Sequence, residues 1–156
     1  MPEQAETYRE AQNSIKNTVN DPISKILLNH SHLTIPQLET LLSDSISNEK
    51  ATRKGERRLF RPSAQITSRG SYNRTLIQAQ NNVIRSIYTV LLIGYVGLFD
   101  SPNLQPFVEL SDHLQSFLTE LNTAQPDQRV VLQQLENRLL ESISSLARRQ
   151  SFKDKL

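Results

Sequence analysis

The chain has 156 residues, 37% of them apolar, with eighteen Lys and Arg against sixteen Asp and Glu and neither cysteine nor tryptophan. That length fits one domain, or one small domain with a helical extension, and the apolar share limits the core. The missing cysteines exclude disulfides, thiol catalysis and Cys-type zinc sites, and they permit the reducing cytoplasm.

The first residues, Met1-Pro2-Glu3-Gln4-Ala5-Glu6, are polar and acidic, and they do not read as a signal peptide. Residues 1–20 hold few large apolar groups (Tyr8, Ile15, Val19) and are expected to form a flexible or weakly helical arm. Asp21-Pro22 then combines an N-cap with a proline at the first helical position, and Ile23, Ile26 and Leu27 carry a helix to about Asn29. After a turn at His30–Leu33, Thr34 caps a second short helix, whose Leu38, Leu41 and Leu42 form one face ending near Asp44.

Residues 45–67 show no sustained periodicity and read as a basic loop with, at most, a marginal helical turn or a short extended piece around Leu59-Phe60; packing of that pair onto the core is the alternative. Thr67 or Ser68 caps the longest helix, expected from Ser68 to about Phe99. Leu76, Ala79, Val83, Ile87 and Leu91 form its face, joined by Ile84, Tyr88 and Leu92. That stripe widens toward its C-terminal half, which is expected to be the centre of the core. Gly94 and Gly97 are candidates to end the helix. The most apolar run, Ile87 to Phe99, is too short for the roughly 20 residues of a bilayer span. Asp100-Ser101-Pro102-Asn103 is a turn. A helix with Leu104, Phe107, Leu110 (or Ser111), Leu114, Phe117 and Leu121 follows, and another with Leu132, Leu135, Leu139, Ile143 and Leu146 completes an antiparallel hairpin.

The expected fold is therefore all-α. A helix-turn-helix-like unit over 21–100, including the basic loop 45–67, leads through the long central helix into the C-terminal hairpin 101–156. The hairpin's apolar seams either complete the monomer core or form a homodimer.

Charge is concentrated. Between Lys50 and Arg85 lie nine cations (Lys50, Arg53, Lys54, Arg57, Arg58, Arg61, Arg69, Arg74, Arg85) and one acid, Glu56, whereas the whole chain is only +2. Such asymmetry in a near-neutral protein points to a polyanion, with nucleic acid first among candidates.

The segments ISKILLNHSHLTIPQLETLLSD and TSRGSYNRTLIQAQ together resemble helix-turn-helix DNA-binding domains, including winged-helix transcription regulators. The resemblance covers about half the chain. It departs from the family in the twenty or so residues before the reading helix, and in lacking an alternating hairpin for a wing. It implies that the Ser- or Thr-capped third helix enters the major groove of double-stranded DNA.

On that reading Ser68, Ser71 and the first helical amides take phosphate. Arg69, Tyr72, Asn73 and Gln78 reach base edges, since Arg grips guanine and Asn or Gln grips adenine. Arg74 faces phosphate or pairs with an acid. The loop cations Lys50, Arg53, Lys54, Arg57, Arg58 and Arg61 follow phosphates, and six such contacts give a salt slope of roughly −5. The bland counterpart is a solvated helix face and a solubilising loop.

His30 and His32 form an H-x-H pair without further ligands at metal spacing, and His113 reads as an exposed side chain. No cofactor is implied. No nucleophile elbow, phosphate-cradling glycine loop or zincin motif appears. The expectation is a non-enzymatic DNA-binding protein of the transcription-regulator kind, cytoplasmic or nucleoid-associated, with no membrane partner. RNA stays open as a partner. The alternative is a helical adaptor that docks an acidic protein.

Overall fold

The computed structural model describes residues 2–49, 56–62, 68–97, 109, 111–112, 114 and 128–148. Among them are five α-helices, one 3-10 turn and no strand: α1 (Pro2–Asn20), α2 (Pro22–Asn29), α3 (Ile35–Glu49), the 3-10 turn η1 (Arg57–Phe60), α4 (Arg69–Tyr95) and α5 (Gln128–Arg148). The fold is all-α. The first arm of the expected C-terminal hairpin lies largely outside the described residues. The chain divides into two compact units, Met1–Arg85 and Ser86–Leu156.

Of the two readings of the N-terminal segment the helical one holds: Pro2–Asn20 is a helix of nineteen residues, and it supplies much of the first core. Ala11, Ile15 and Val19 are buried at a spacing of four, which places them on one face of α1. Tyr8, one turn earlier, meets the Phe60 ring edge-on at 4.8 Å between centroids and 75° between planes. Such a pair contributes about 0.5–1.5 kcal/mol beyond its buried area. Gln12 Nε2 donates to the Leu59 carbonyl at 2.8 Å. So few large side chains suffice because η1 brings Phe60 to them.

The start of α2 is as its sequence dictates. Asp21 accepts the Ser24 N–H at 2.8 Å, and Pro22 begins the helix. At the next start, Gln37 Oε1 accepts the Thr34 N–H at 3.1 Å, the reciprocal half of a capping box. Helix α3 runs on to Glu49, past the expected stop near Asp44. Its most buried face is not the leucine face. Leu38, Leu41 and Leu42 are half-buried, whereas Thr40, Ser43 and Ser47 are fully enclosed. Each of these hydroxyls donates to a carbonyl of its own helix: Thr40 to Pro36 at 2.6 Å, Ser43 to Thr40 at 2.9 Å and Ser47 to Asp44 at 2.8 Å. Satisfied in this way, small polar side chains can be buried without a desolvation penalty, and they let neighbouring elements approach closely.

The first half of α4 meets α3 at two places, taken in the opposite chain direction. Tyr72 meets Ser43, and ten residues later Asn82 Nδ2 donates to Gln37 Oε1 at 3.3 Å and to the His32 carbonyl at 2.9 Å. Tyr72 and Ala79 are the buried residues of this helix. It ends after Tyr95, where Gly97 adopts φ 74°, a left-handed conformation open to glycine. Gly94 stays helical.

The widened stripe of α4 is not the centre of the core. Val83, Ile84, Ile87, Tyr88, Leu91 and Leu92 are all exposed. Periodicity marks which residues share a face of a helix, but not whether anything packs against that face.

Candidate nucleic-acid interface

Helix α4 opens with a capped first turn. Ser68 Oγ accepts the Ser71 N–H at 3.2 Å, and the Ser68 carbonyl accepts the Tyr72 N–H at 2.9 Å. Arg69, Ser71, Asn73, Arg74 and Gln78 are exposed around the first three turns. Asn73 and Gln78 are exposed, and among the described residues neither Arg69 nor Arg74 forms an ion pair. No carboxylate occurs in the sequence between Glu56 and Asp100, so α4 carries cations and no anions. Gly70 lies in this turn with an ordinary helical backbone, and a Cβ added there would meet nothing within 4 Å. The fold has no steric need for glycine at this position.

Tyr72, expected among the base-contacting residues, is turned inward instead and is 2% exposed. Its hydroxyl lies 3.0 Å from Ser43 Oγ. Because Ser43 spends its proton on the Thr40 carbonyl, Tyr72 is the donor in that pair. Burial raises the Tyr72 hydroxyl above its usual 10.0; the nearby Asp44 charge adds to the rise, while Ser43, Arg57 and Arg61 oppose it. Tyr8 is raised too, by burial and by the charge and hydrogen bond of Glu56.

The loop 45–67, expected to be a mobile run of phosphate-seeking cations, is structured where it is described. Residues 45–49 belong to α3, and η1 seats Phe60, which is fully buried. Arg57 Nη1 lies 2.6 Å from Asp44 Oδ1, and Arg61 Nε lies 3.1 Å from Glu39 Oε2. All four side chains of these pairs are largely buried. Arg58 is half-buried, and Lys50, Arg53 and Lys54 lie outside the described residues. Arg57 and Arg61 thus neutralise acids of α3, and a phosphate would have to displace those carboxylates to reach them.

The structure therefore divides the predicted set. Arg69, Ser71, Asn73, Arg74 and Gln78 come together on the surface of one helix. Tyr72, Arg57 and Arg61 belong to the packing that holds this helix in place. Sequence reading missed the supporting partners Ser43, Asp44 and Glu39. The available signal was the acid spacing on α3: Glu39 and Asp44 are the only carboxylates between Pro22 and Asn48.

His30 and His32 are exposed, and the described residues contain no group of three His, Asp or Glu able to hold a metal ion. Among the described residues, no helix is long and apolar enough to cross a membrane. No family model, curated protein or solved structure matches the chain.

Proposed function

We propose that this protein is a non-enzymatic nucleic-acid-binding protein that engages double-stranded DNA through the first three turns of α4. The observation that carries the reading is the exposure of Arg69, Asn73, Arg74 and Gln78 on a helix free of carboxylates, while Asp44 and Glu39 of α3 are already occupied by Arg57 and Arg61. Two arginines unopposed by fixed anions attract phosphate, and the amides of Asn73 and Gln78 suit adenine edges. The positive end of the helix dipole adds to the attraction. Gly70 fits the same reading, because a missing side chain lets a sugar-phosphate backbone come close to the helix.

This narrows the source of affinity. With Arg57 and Arg61 held by acids, phosphate contacts fall to Arg69 and Arg74, together with Lys50, Arg53 and Lys54. The test is fluorescence anisotropy of a labelled random-sequence duplex at low salt, with the wild-type chain and an Arg69→Ala/Arg74→Ala variant. The reading expects binding by the wild type and weakening of about tenfold or more in the variant. A wild type that does not bind at low salt ends it.

The second reading, a helical adaptor, has its own support in the two internal ion pairs and the inward Tyr72, which remove three residues from the polyanion set. It expects no retention of duplex DNA and saturable binding of an acidic peptide instead.

A further inference from the structure

We infer that the face of α4 bearing Ile87, Tyr88, Leu91, Leu92 and Tyr95 is the interface of a homodimer, occupied by the same face of a second copy of this chain. These five side chains recur at spacings of three and four, and so share one side of the helix. They are 50%, 69%, 49%, 60% and 89% exposed. The residues behind them, Val90 and Ile93, are also apolar and are half-buried.

From Ser86 to Tyr95 the helix contains no charged residue. A helix that is apolar all round belongs in a protein core, its own or one shared with a partner, or in a bilayer, and among the described residues no helix is long and apolar enough to cross a bilayer.

The unit Ser86–Leu156 does not cover this surface with its own described residues. Its only buried apolar residues among those described are Leu114 and Leu139, and on α5 Val130, Leu140 and Ile143 are exposed as well. The first unit, by contrast, buries Ala11, Ile15, Val19, Ile23, Phe60, Tyr72 and Ala79.

Size favours a stable partner. The two tyrosine rings and three aliphatic chains expose on the order of 600 Å², at or above the largest apolar patch of a typical monomer and close to the roughly 800 Å² per partner of a stable complex. Chemistry favours a second copy over a charged partner. The face has no charge with which to select one, and a 3-4 seam is complementary to itself under a two-fold axis. Leu91 is its middle residue and lies nearest that axis.

The test uses the full chain. Sedimentation velocity over a concentration series is expected to give twice the monomer mass of 17.8 kDa, falling toward one on dilution. Tyr88→Asp/Tyr95→Asp, at two exposed positions, is expected to raise the dissociation constant about a hundredfold or more with helix content unchanged. Because the chain has no cysteine, single Cys variants report proximity even if the double variant misfolds. Under mild oxidation Leu91→Cys is expected to cross-link between copies, and Ser45→Cys, exposed on α3, is not. A wild type that stays at 17.8 kDa throughout, or equal cross-linking at both positions, overturns the proposal.

Discussion

The Tyr72 hydroxyl donates to Ser43 Oγ across 3.0 Å, and with the Asn82–Gln37 bond it joins the helix carrying the exposed arginines to the helix carrying the acids. It lies in a buried polar seam. Ser43 in turn donates a hydrogen bond to the Thr40 carbonyl, and Arg57 and Arg61 are clamped by Asp44 and Glu39 on the same helix. The first turns of α4 are thereby held on a fixed support, which is what a helix presenting side chains to a ligand requires.

Tyr72→Phe removes the donor and leaves Ser43 its bond to Thr40. Stability is expected to fall by about 1 kcal/mol, the usual net value of a neutral hydrogen bond. The pH dependence separates this bond from simple packing. A tyrosine whose folded pKa is raised holds its proton more tightly when folded, so its stabilisation is complete below the ordinary 10.0 and is lost as pH rises through the folded value. Chemical denaturation between pH 8 and pH 11 is expected to show a loss of stability at the alkaline end that is smaller in Tyr72→Phe. Equal slopes in the two proteins would count against the buried hydroxyl.

Glu39→Ala leaves the Arg61 guanidinium, 8% exposed, without its carboxylate. Stranding a buried charge costs about 3 kcal/mol. The double variant Glu39→Leu/Arg61→Met removes both charges at similar volume, and urea denaturation is expected to recover most of that loss. A loss as large in the double variant as in the single one would show that the ion pair itself, rather than the stranded charge, sets the cost.

Phe60 sits in a run of arginines, yet it is the centre of the first core. Phe60→Ala is expected to destabilise by about 4 kcal/mol, through lost burial and the cavity left against Tyr8. A thermal melt shifted by only a degree or two would mean that η1 is not held as described.

These residues show which parts of the fold were legible in advance. Asp21-Pro22, Thr34, and Thr67 or Ser68 announce helix starts because capping is local chemistry, readable within four residues. Gly97 was a candidate end, but sequence could not choose it over Gly94, since the choice rests on which one takes the left-handed conformation. The α1 face was underrated because its value depends on Phe60, distant along the chain. Thr40, Ser43 and Ser47 were missed because hydrophobic periodicity ignores hydroxyls, and hydroxyls that bond their own helix are as easy to bury as small apolar groups. The exposure of Arg69, Asn73 and Arg74 was legible from the cap and the absence of acids. The inward turn of Tyr72 and the pairing of Arg57 and Arg61 were not, because their partners sit 29, 13 and 22 residues away.

Gly70→Ala separates folding from binding. Alanine is the better helix former by about 1 kcal/mol, and a Cβ there meets nothing within 4 Å. The variant is expected to be more stable than the wild type by up to that amount and to bind duplex DNA more weakly. A variant that gains stability and binds equally well would remove Gly70 from the interface.

The central claim is that the exposed arginines of α4 meet phosphate while the η1 arginines serve the fold. Duplex-DNA affinity across a salt series tests it most directly, with Arg69→Ala/Arg74→Ala set beside Arg57→Ala/Arg61→Ala. Each lost phosphate contact lowers the log–log salt slope by about 0.9. The account predicts a slope shallower by nearly two in the α4 variant, and an unchanged slope with lower folding stability in the η1 variant. The reverse assignment, or equal slopes in all three proteins, would contradict it.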